Sequence, residues 1–270
     1  MPRTSVCITG GTGFIGRAIV EYLLEKEYEV VVITRKTLTI EKFSWADQVR
    51  VVPCDIFGED IDLPKLGVDI LLHLAWGHLS NYRSPQHFIY AKDSKAFICR
   101  QLKNGLKHVS VTGSCQEYGL AYGPLEPLGP LNPHTAYAQA KVDLHRSLRA
   151  ACDTTGALLS WARIFYTYGA GQSEKTIISQ LNRAIDNGDE WFDMSAGEQL
   201  RDYLPVSQVA EQISILLETK ANGVFNIGSG EPISIRRLVS EHALSRKSSI
   251  KFRYGVYPYP DYETMAFWAG

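Results

Sequence analysis

The feature that most constrains this chain is a glycine-rich turn between a short apolar strand and an amphipathic helix. The pattern predicts a strand at 5–9, a helix at 14–26 and a second strand at 29–34. Such a βαβ unit is typical of dinucleotide sites, because the glycines allow a tight turn, close approach of a pyrophosphate and close helix packing. A turn used only for packing is the alternative. The predicted cofactor contacts in this turn are Gly10, Thr12, Gly13, Phe14, Ile15 and Gly16.

Strands and helices alternate regularly through the first 167 residues and less regularly after them. Regular βα alternation predicts an α/β fold with a Rossmann-type doubly wound parallel sheet. We assign 1–167 to a dinucleotide-binding domain and 168–270 to a smaller substrate-binding lobe, with about 202–228 returning to the sheet. The pattern predicts further strands at 49–56, 68–76, 108–114, 156–165 and 223–228, and helices at 86–104, 136–152, 174–187, 206–219 and 234–244.

The residues after the second strand indicate which dinucleotide is bound. An NAD site usually places a carboxylate there to accept hydrogen bonds from the ribose hydroxyls. This chain has Thr34, Arg35 and Lys36 instead, and a guanidinium favours the 2′-phosphate of NADP. We therefore expect Arg35 and Lys36 to bind the cofactor and NADP(H) to be preferred over NAD(H). Two solvated surface cations are the alternative.

A second cofactor contact is expected after the third strand, where Cys-Asp-Ile occupies 54–56. Asp55 at a strand end could accept a hydrogen bond from the adenine amine, with Ile56 beside it. A lone aspartate at a turn is also a common cap, so this position has two interpretations.

Composition and charge exclude several classes of partner. The 270 residues carry 28 Lys and Arg against 29 Asp and Glu, a formal net charge of -1, so neither a nucleic-acid nor an anionic membrane surface is indicated. No apolar run reaches membrane-spanning length and no secretory signal is visible, so we expect a cytoplasmic protein. Five scattered cysteines without a C-x-x-C spacing indicate free thiols, and no metal site is predicted.

Tyr137 and Lys141 are four residues apart in a segment with helical periodicity. Positions i and i+4 lie on one face of a helix, so both side chains would point the same way. A lysine ammonium beside a tyrosine stabilises the phenolate and lowers the tyrosine pKa, which suits proton exchange near neutral pH. The spacing alone is common by chance, and a helix start with an amphipathic tyrosine is the alternative.

Seven motifs, in order, make the chain resemble the extended short-chain dehydrogenases/reductases of the NAD-dependent epimerase/dehydratase family. GGTGFIG at 10–16 is similar to the family's glycine motif, HLA at 73–75 to its motif beside the cofactor, and Y-x-x-x-K at 137–141 to its catalytic pair. The resemblance covers nearly the whole chain. The remaining matches are Ser114 with the YG that follows it, RIFYTYGAGQ at 163–172, RDYLPVSQVA at 201–210 and FNIGSG at 225–230.

The resemblance implies roles for individual residues. Ser114, Tyr137 and Lys141 would form the catalytic set. The phenol would exchange a proton with the substrate, the ammonium would also bond the nicotinamide ribose, and the serine would polarise the carbonyl. The further implied contacts are Leu74, Ala75, Trp76 and Phe165 for the cofactor and Cys115, Gln116 and Arg201 for the substrate.

The residues after Ser114 indicate which reaction of the family to expect. The family's dehydratases carry an Asp-Glu pair there, whereas this chain has Cys115 and Gln116, and Glu117 should point to the opposite side in extended backbone. The 3,5-epimerase/reductases pair a cysteine with a downstream histidine, whereas Gln116 and Gly171 occupy those positions.

Three functional interpretations remain. The first is an NADPH-dependent 4-keto reductase of a nucleotide-linked 4-keto-6-deoxyhexose, in surface-polysaccharide or antibiotic biosynthesis. The second is a nucleotide-sugar 4-epimerase that retains NAD, and the third is a non-catalytic NADP-binding regulator. The cations after the second strand favour the reductase. Non-catalytic relatives usually lose the tyrosine or the lysine, and both are present here.

Arg201 has two interpretations of its own. As the arginine of RDYLPVSQVA it is expected to bind the diphosphate or ribose of the substrate nucleotide. The alternative is a surface arginine paired with Asp202.

A homodimer through the helices at 86–104 and 136–152 is also expected. Both helices carry more apolar residues than one buried face requires, which indicates a second partner. In the family, two such helices from each subunit form a four-helix bundle about a two-fold axis. The alternative is that the smaller lobe or the aromatic tail covers the second stripe. The residues concerned are Phe88, Ile89, Ala96, Phe97 and Leu102, and Ala138, Val142, Leu144 and Leu148.

Overall fold

A parallel sheet flanked by helices confirms the predicted α/β class. The computed structural model describes residues 3–35, 37–259 and 264–270. The strands described there are β1 (Ser5–Thr9), β2 (Glu29–Thr34), β3 (Arg50–Pro53), β4 (Ile70–His73), β5 (His108–Ser114), β6 (Gly123–Leu125), β7 (Leu158–Ile164), β8 (Tyr166–Tyr168), β9 (Trp191–Asp193), β10 (Leu200–Pro205), β11 (Gly223–Ile227), β12 (Pro232–Ser234), β13 (Lys251–Arg253) and β14 (Ala266–Ala269). The α-helices are α1 (Phe14–Glu25), α2 (Gln86–Lys103), α3 (Ala136–Thr155), α4 (Ile177–Asn187), α5 (Val206–Glu218) and α6 (Ile235–Ser245).

The large sheet has the strand order β3-β2-β1-β4-β5-β7-β11, and every pair in it is parallel. Its central strands are apolar and buried on both faces, as the near-continuous apolar runs predicted. The chain winds outward from β1 in one direction and from β4 in the other. Ligands of such sheets bind where the winding reverses, outside the carboxyl ends of the strands.

Helices cover both faces of this sheet. Helices α1 and α5 pack on one face around Ile19, Val209 and Ile213, and α2 with α3 pack on the other around Phe97 and Leu148. None of the helices among the described residues combines the length and apolar character needed to cross a membrane.

The smaller lobe is built around a second sheet of order β12-β10-β14-β6, with β8 paired to β10. A two-stranded sheet of β9 and β13 and helices α4 and α6 complete it. Strand β11 and helix α5 belong to the large sheet layer, whereas β10 belongs to the small sheet. Strand β6 reaches the small sheet from the first half of the chain. The division of the chain near residue 167 stays a proposal.

The helix faces predicted to form a dimer are largely buried within this chain. This corrects the expectation that both helices leave a second apolar face uncovered. Phe97, Leu102, Ala138, Val142, Leu144 and Leu148 are all buried. The α2–α3 pair itself, packed on the sheet, covers most of these side chains. Phe88 and Ile89 stay exposed, at 44% and 49%, as does Ala96. The homodimer therefore stays a prediction that rests on the resemblance and these few side chains.

Candidate active site

The glycine turn after β1 has the geometry of an anion cradle. Gly10 has a φ of +76°, which favours glycine, and its carbonyl accepts the Gly13 N–H at 3.0 Å. A Cβ on Gly16 would lie 2.1 Å from the Gly10 oxygen, so the start of α1 packs against the turn as predicted. Helix α1 begins at Phe14, and Gly13 at its N-cap position has no side chain that could cap the first N–H groups of the helix. These features fit the pyrophosphate of a dinucleotide.

The segment after β4 is tied to the glycine turn by a buried hydrogen-bond chain. The Thr9 hydroxyl accepts the Leu74 and Ala75 N–H groups, both at 3.3 Å, and lies 2.9 Å from His73 Nδ1. His73 Nε2 lies 3.0 Å from the Ser94 hydroxyl of α2. Burial lowers the pKa of His73 to about 3, so its ring is neutral. The ring therefore contributes to this series of hydrogen bonds as an uncharged donor and acceptor. Thr9 was missed, because a threonine at a strand end has no distinctive signal.

Arg35 and Asp55, both predicted to contact the cofactor, lie after the carboxyl ends of neighbouring strands of the large sheet. Arg35 follows β2 and is exposed, whereas Lys36 lies outside the described residues. The Asp55 carboxylate accepts the Phe57 N–H at 3.2 Å, which makes it a turn residue in this structure. Ile56 is buried in the core beside it. Their contacts with a cofactor stay predictions.

Ser114 ends β5 and caps the short 3₁₀ helix Cys115–Tyr118. Its Oγ accepts the Gln116 N–H at 3.2 Å, and its own N–H donates to Glu117 Oε1 at 2.8 Å. Because the oxygen accepts from the backbone, its one hydroxyl proton is available to donate. Ser114 is hydrogen-bonded to the Tyr137 phenol, and this bond lowers the pKa of that phenol. The structure thus brings Ser114 and Tyr137 together.

Tyr137 lies in the first turn of α3, where Thr135 caps the helix through the Ala138 N–H. Its ring is stacked on Tyr82 with 5.1 Å between centroids, and its N–H donates to the Tyr82 carbonyl at 2.9 Å. The side chain is only 8% exposed. Burial, followed by the neighbouring Tyr82, raises the pKa of Tyr137, which corrects the expected lowering by Lys141. Tyr82 lies in a loop without periodicity and was missed.

Lys141 lies one turn after Tyr137 on the same face of α3, as the spacing predicted. Its Nζ donates to the Thr112 carbonyl at 2.8 Å and lies 3.8 Å from the centroid of the Trp76 ring. The distance from Nζ to the Tyr137 ring centroid is 5.9 Å. Burial lowers the pKa of Lys141 to about 7, and Glu117 opposes this effect. The lysine can therefore exchange a proton near neutral pH.

Glu117 forms a buried ion pair beneath the site. Glu117 lies in a 3₁₀ helix, not in the extended backbone that we expected. The helical turn points its side chain inward, where Glu117 Oε2 lies 2.7 Å from Arg163 Nε. Its carboxylate also accepts from Trp161 Nε1 at 3.1 Å. Burial raises the pKa of Glu117, and the Arg163 guanidinium opposes that rise. Glu117 is fully buried, so it presents no carboxyl group to a substrate beside Ser114.

Arg163 also joins two other motif residues. Its Nη1 donates to the Tyr118 hydroxyl at 3.2 Å, and that hydroxyl donates to Asn226 Oδ1 at 2.6 Å. Asn226 in turn donates to the Leu125 carbonyl. Three of the motifs found in the sequence therefore form a single structural network below Ser114.

The predicted substrate residues after Ser114 divide into two environments. The Cys115 side chain packs in an apolar cluster with Tyr118, Phe165 and Phe267. Phe165, predicted to contact the cofactor, has its ring buried in that cluster. The Gln116 side chain instead donates to the Tyr166 hydroxyl at 3.5 Å. Tyr166 was not among the site residues predicted from the sequence.

Arg201 lies near the same tyrosine. Its guanidinium carbon is 5.7 Å from the Tyr166 ring centroid and 4.6 Å from that of Phe267. The residue is 2% exposed, so the alternative of a surface arginine is wrong. The Asp202 carboxylate accepts from Ser229, Gly230 and Ala269 on the other side of β10, because successive strand residues face opposite ways.

Comparisons with known proteins agree with this arrangement. A model of the NAD dependent epimerase/dehydratase family matches residues 6–228. The chain is 31% identical over 269 residues to dTDP-6-deoxy-L-talose 4-dehydrogenase (NAD(+)) of Aggregatibacter actinomycetemcomitans, covering 98% of each protein. It is 26% identical over 272 residues to dTDP-4-dehydro-6-deoxyglucose reductase of Escherichia coli, covering 93% of this chain and 85% of the relative.

A solved structure, MoeE5 in complex with UDP-glucose and NAD, is similar with a TM-score of 0.78 and 25% identity, covering 98% of this chain and 89% of that one. The match to the family extends over most of the chain and includes the glycine turn, Ser114 and the Tyr137–Lys141 pair. The chain therefore belongs to the NAD dependent epimerase/dehydratase family and is an enzyme of the extended short-chain dehydrogenase/reductase type.

Proposed function

We propose that this enzyme interconverts the 4-keto and 4-hydroxyl groups of a nucleotide-linked 6-deoxyhexose with a nicotinamide dinucleotide. The observation that carries the proposal is a site with a serine, a tyrosine and a lysine, whose neighbouring carboxylate, Glu117, is buried on Arg163. Reduction needs a proton donor and a polarising hydroxyl. Loss of water needs further acid and base groups, which the loop after Ser114 does not offer. Two relatives named above act on dTDP-linked 6-deoxyhexoses at the same carbon.

The residues of the site have distinct parts in this reaction. A bound nicotinamide supplies or accepts the hydride at sugar C4. The glycine turn would hold the pyrophosphate, with Leu74 and Ala75 beside it. In the reductive direction Tyr137 donates its phenolic proton to the C4 oxygen, and Ser114 donates a hydrogen bond to that oxygen. Lys141 stabilises the tyrosinate that forms and is placed to bond the ribose.

The test is a panel of nucleotide-linked 4-keto-6-deoxy sugars with NADPH and NADH. We expect steady oxidation of the reduced dinucleotide and a 4-hydroxy product whose configuration is read by NMR. A 4-epimerase that retains NAD is the second candidate, because 4-epimerases share this family. It would interconvert 4-hydroxy epimers without net oxidation of added dinucleotide. Absence of both activities across the panel would contradict the proposal and favour a non-catalytic binding protein.

The preferred dinucleotide is the subject of a separate prediction. The relative from Aggregatibacter has NAD(+) in its name, whereas Arg35 at the end of β2 favours the 2′-phosphate of NADP(H). We expect Arg35→Ala to weaken NADPH binding by about ten- to a hundredfold, since a charge-assisted hydrogen bond contributes about 1.5–3 kcal/mol. NADH binding should change by less than about threefold. Dissociation constants from fluorescence titration measure both.

The matched control is Lys42→Ala, another exposed cation of the same region. It should leave both dissociation constants unchanged. Equal losses for the two dinucleotides in Arg35→Ala, or a wild type that prefers NADH, would make NAD(H) the cofactor and strengthen the 4-epimerase candidate.

We also propose that Arg201 and Gln116 contact the substrate near Tyr166. Arg201→Ala should raise the Michaelis constant for the sugar nucleotide about ten- to a hundredfold and leave that for the dinucleotide unchanged. Arg236→Ala is the control, because the guanidinium of Arg236 also lies over an aromatic ring, with 4.2 Å to the Tyr254 centroid. An unchanged constant for the sugar, together with a lowered unfolding temperature, would make Arg201 a structural residue.

A further inference from the structure

Trp76 contacts both members of the catalytic pair, and the reaction proposed above gives it no part. It lies three residues after the end of β4, with its ring centroid 3.8 Å from Lys141 Nζ. The edge-on ring of Tyr137 is 6.0 Å away at an interplanar angle of 72°. One indole therefore offers its face to the ammonium and a T-shaped contact to the phenol ring.

His87 of α2 holds this indole in place. Trp76 Nε1 donates to His87 Nδ1 at 3.0 Å, and His87 Nε2 donates to the Asn81 carbonyl at 3.0 Å. The two bonds require a single tautomer, with the proton on Nε2. His87 is fully buried, and burial lowers its pKa, so the neutral ring that this arrangement needs is the stable form. The anchor leaves the indole little freedom to turn.

Tyr90 packs against the same indole. Its ring centroid is 6.0 Å from that of Trp76. The residue after Trp76 is Gly77, and a Cβ there would lie 2.4 Å from the Tyr90 hydroxyl oxygen. The absence of a side chain at Gly77 thus lets Tyr90 approach and limits movement of the tryptophan.

The ammonium of Lys141 needs such a contact, because it is 2% exposed and has lost most of its water. The hydrogen bond described for it goes to the Thr112 carbonyl. The titratable groups that interact with it are Tyr137 on its own helix, His73 of β4, His87 of α2 and Glu117 of the 3₁₀ helix. Both histidines are neutral and the glutamate is bound to Arg163. An aromatic face is most effective for a cation in such a desolvated place.

We propose that Trp76, anchored on His87, is a positioning residue that holds the Lys141 ammonium on its face and fixes the Tyr137 ring beside it. Its effect on turnover rests on the proposed function. Its effect on Lys141 is a property of the cofactor-free protein and can be measured without any substrate.

The first test measures the titration of Lys141 by NMR. In cofactor-free protein labelled with ¹³C-lysine, the ε-carbon signal of Lys141 is assigned by its loss in Lys141→Met. Because the aromatic face favours the ammonium, Trp76→Leu should lower the pKa of Lys141 by about one pH unit. Trp76→Phe keeps an aromatic face and should shift it by less than about half of that. An unchanged or raised pKa in Trp76→Leu would overturn the proposal.

The chain offers a matched control in Trp191, which also has a lysine over its ring, with 5.1 Å from Lys251 Nζ to the centroid. Trp191→Leu should leave the Lys141 titration unchanged, and a shift there equal to that in Trp76→Leu would overturn the proposal. If Trp76→Leu does not fold, Trp76→Met supplies an apolar, non-aromatic side chain for the same measurement.

The second test is the pH profile of reduction. Turnover that needs the ammonium is present below the pKa of Lys141 and falls as the pH rises through it. Trp76→Leu should move this fall to lower pH by about one unit and lower kcat about tenfold, with the Michaelis constant for the sugar unchanged. Trp76→Phe should restore most of both. An unmoved profile would overturn the proposal, whereas a wild type inactive on the whole panel would contradict only the proposed reaction.

Discussion

Tyr137→Phe is expected to lower kcat by about 10²–10⁴-fold, because it removes the only proton that the phenol can pass to the C4 oxygen. The ring itself is kept, so its stacking on Tyr82 and its contact with Trp76 persist. Dinucleotide binding should therefore change by less than about threefold. Single-turnover kinetics with a keto sugar, beside fluorescence titration of the dinucleotide, measures the two quantities separately.

Tyr118→Phe is the matched control for this variant. Tyr118 is also buried, but its hydroxyl bonds Asn226 and Arg163 in the network below the site. Its loss should cost about 1 kcal/mol of stability and leave kcat within about threefold of wild type. A Tyr137→Phe enzyme as active as the Tyr118→Phe enzyme would exclude Tyr137 as the proton donor.

Sequence periodicity predicted the strands of the large sheet and the α-helices of the described residues, but not the short strands of the smaller lobe. The strands of the large sheet have apolar runs of strand length, the α-helices described have a period near 3.6 residues, and the glycine turn has its characteristic glycine spacing. The i, i+4 rule alone places Tyr137 and Lys141 on one face. Each of these features depends only on residues that are close together in the sequence, so the sequence alone predicts it.

The parts that could not be predicted depend on contacts between distant segments. Tyr82 stacks on Tyr137 from a loop with no periodicity. Burial of the phenol, followed by the neighbouring Tyr82, raises the pKa of Tyr137, which is opposite to the expected direction. The inward turn of Glu117 depends on 3₁₀ backbone and on Arg163, which is 46 residues away. Likewise, α2 and α3 cover each other's apolar residues, which no single helix pattern shows.

The same contacts show which structural interactions several of the family motif residues make. The arginine of RIFYTYGAGQ binds Glu117, and the asparagine of FNIGSG accepts from Tyr118. Asp202 of RDYLPVSQVA accepts from Ser229, Gly230 and Ala269, which joins the two lobes' sheets at their edge. Arg163 and Asn226 therefore support the loop that follows Ser114.

Arg163→Met is expected to destabilise the protein by about 3–5 kcal/mol, because it leaves the Glu117 carboxylate buried without its counter-ion. Urea unfolding followed by circular dichroism measures the loss.

The pH dependence of that loss is a further part of the same prediction. Without the guanidinium, the pKa of Glu117 rises further above its unfolded value, since burial is then unopposed by the ion pair. A group with a raised folded-state pKa favours the folded state most below its unfolded pKa, and that contribution is lost as the pH rises. The deficit of the variant relative to wild type should therefore be smaller at about pH 5 than at about pH 8.

Two matched variants separate the buried charge from general damage. Glu117→Gln combined with Arg163→Met removes both charges and should recover a large part of the lost stability, since an unpaired buried charge is the main cost. Arg237→Met breaks an exposed ion pair with Glu241, 2.6 Å between Nε and Oε1, and should cost less than about 1 kcal/mol. If the double variant is no more stable than Arg163→Met, and the deficit is the same at both pH values, the destabilisation comes from lost packing of the arginine stem and not from the carboxylate.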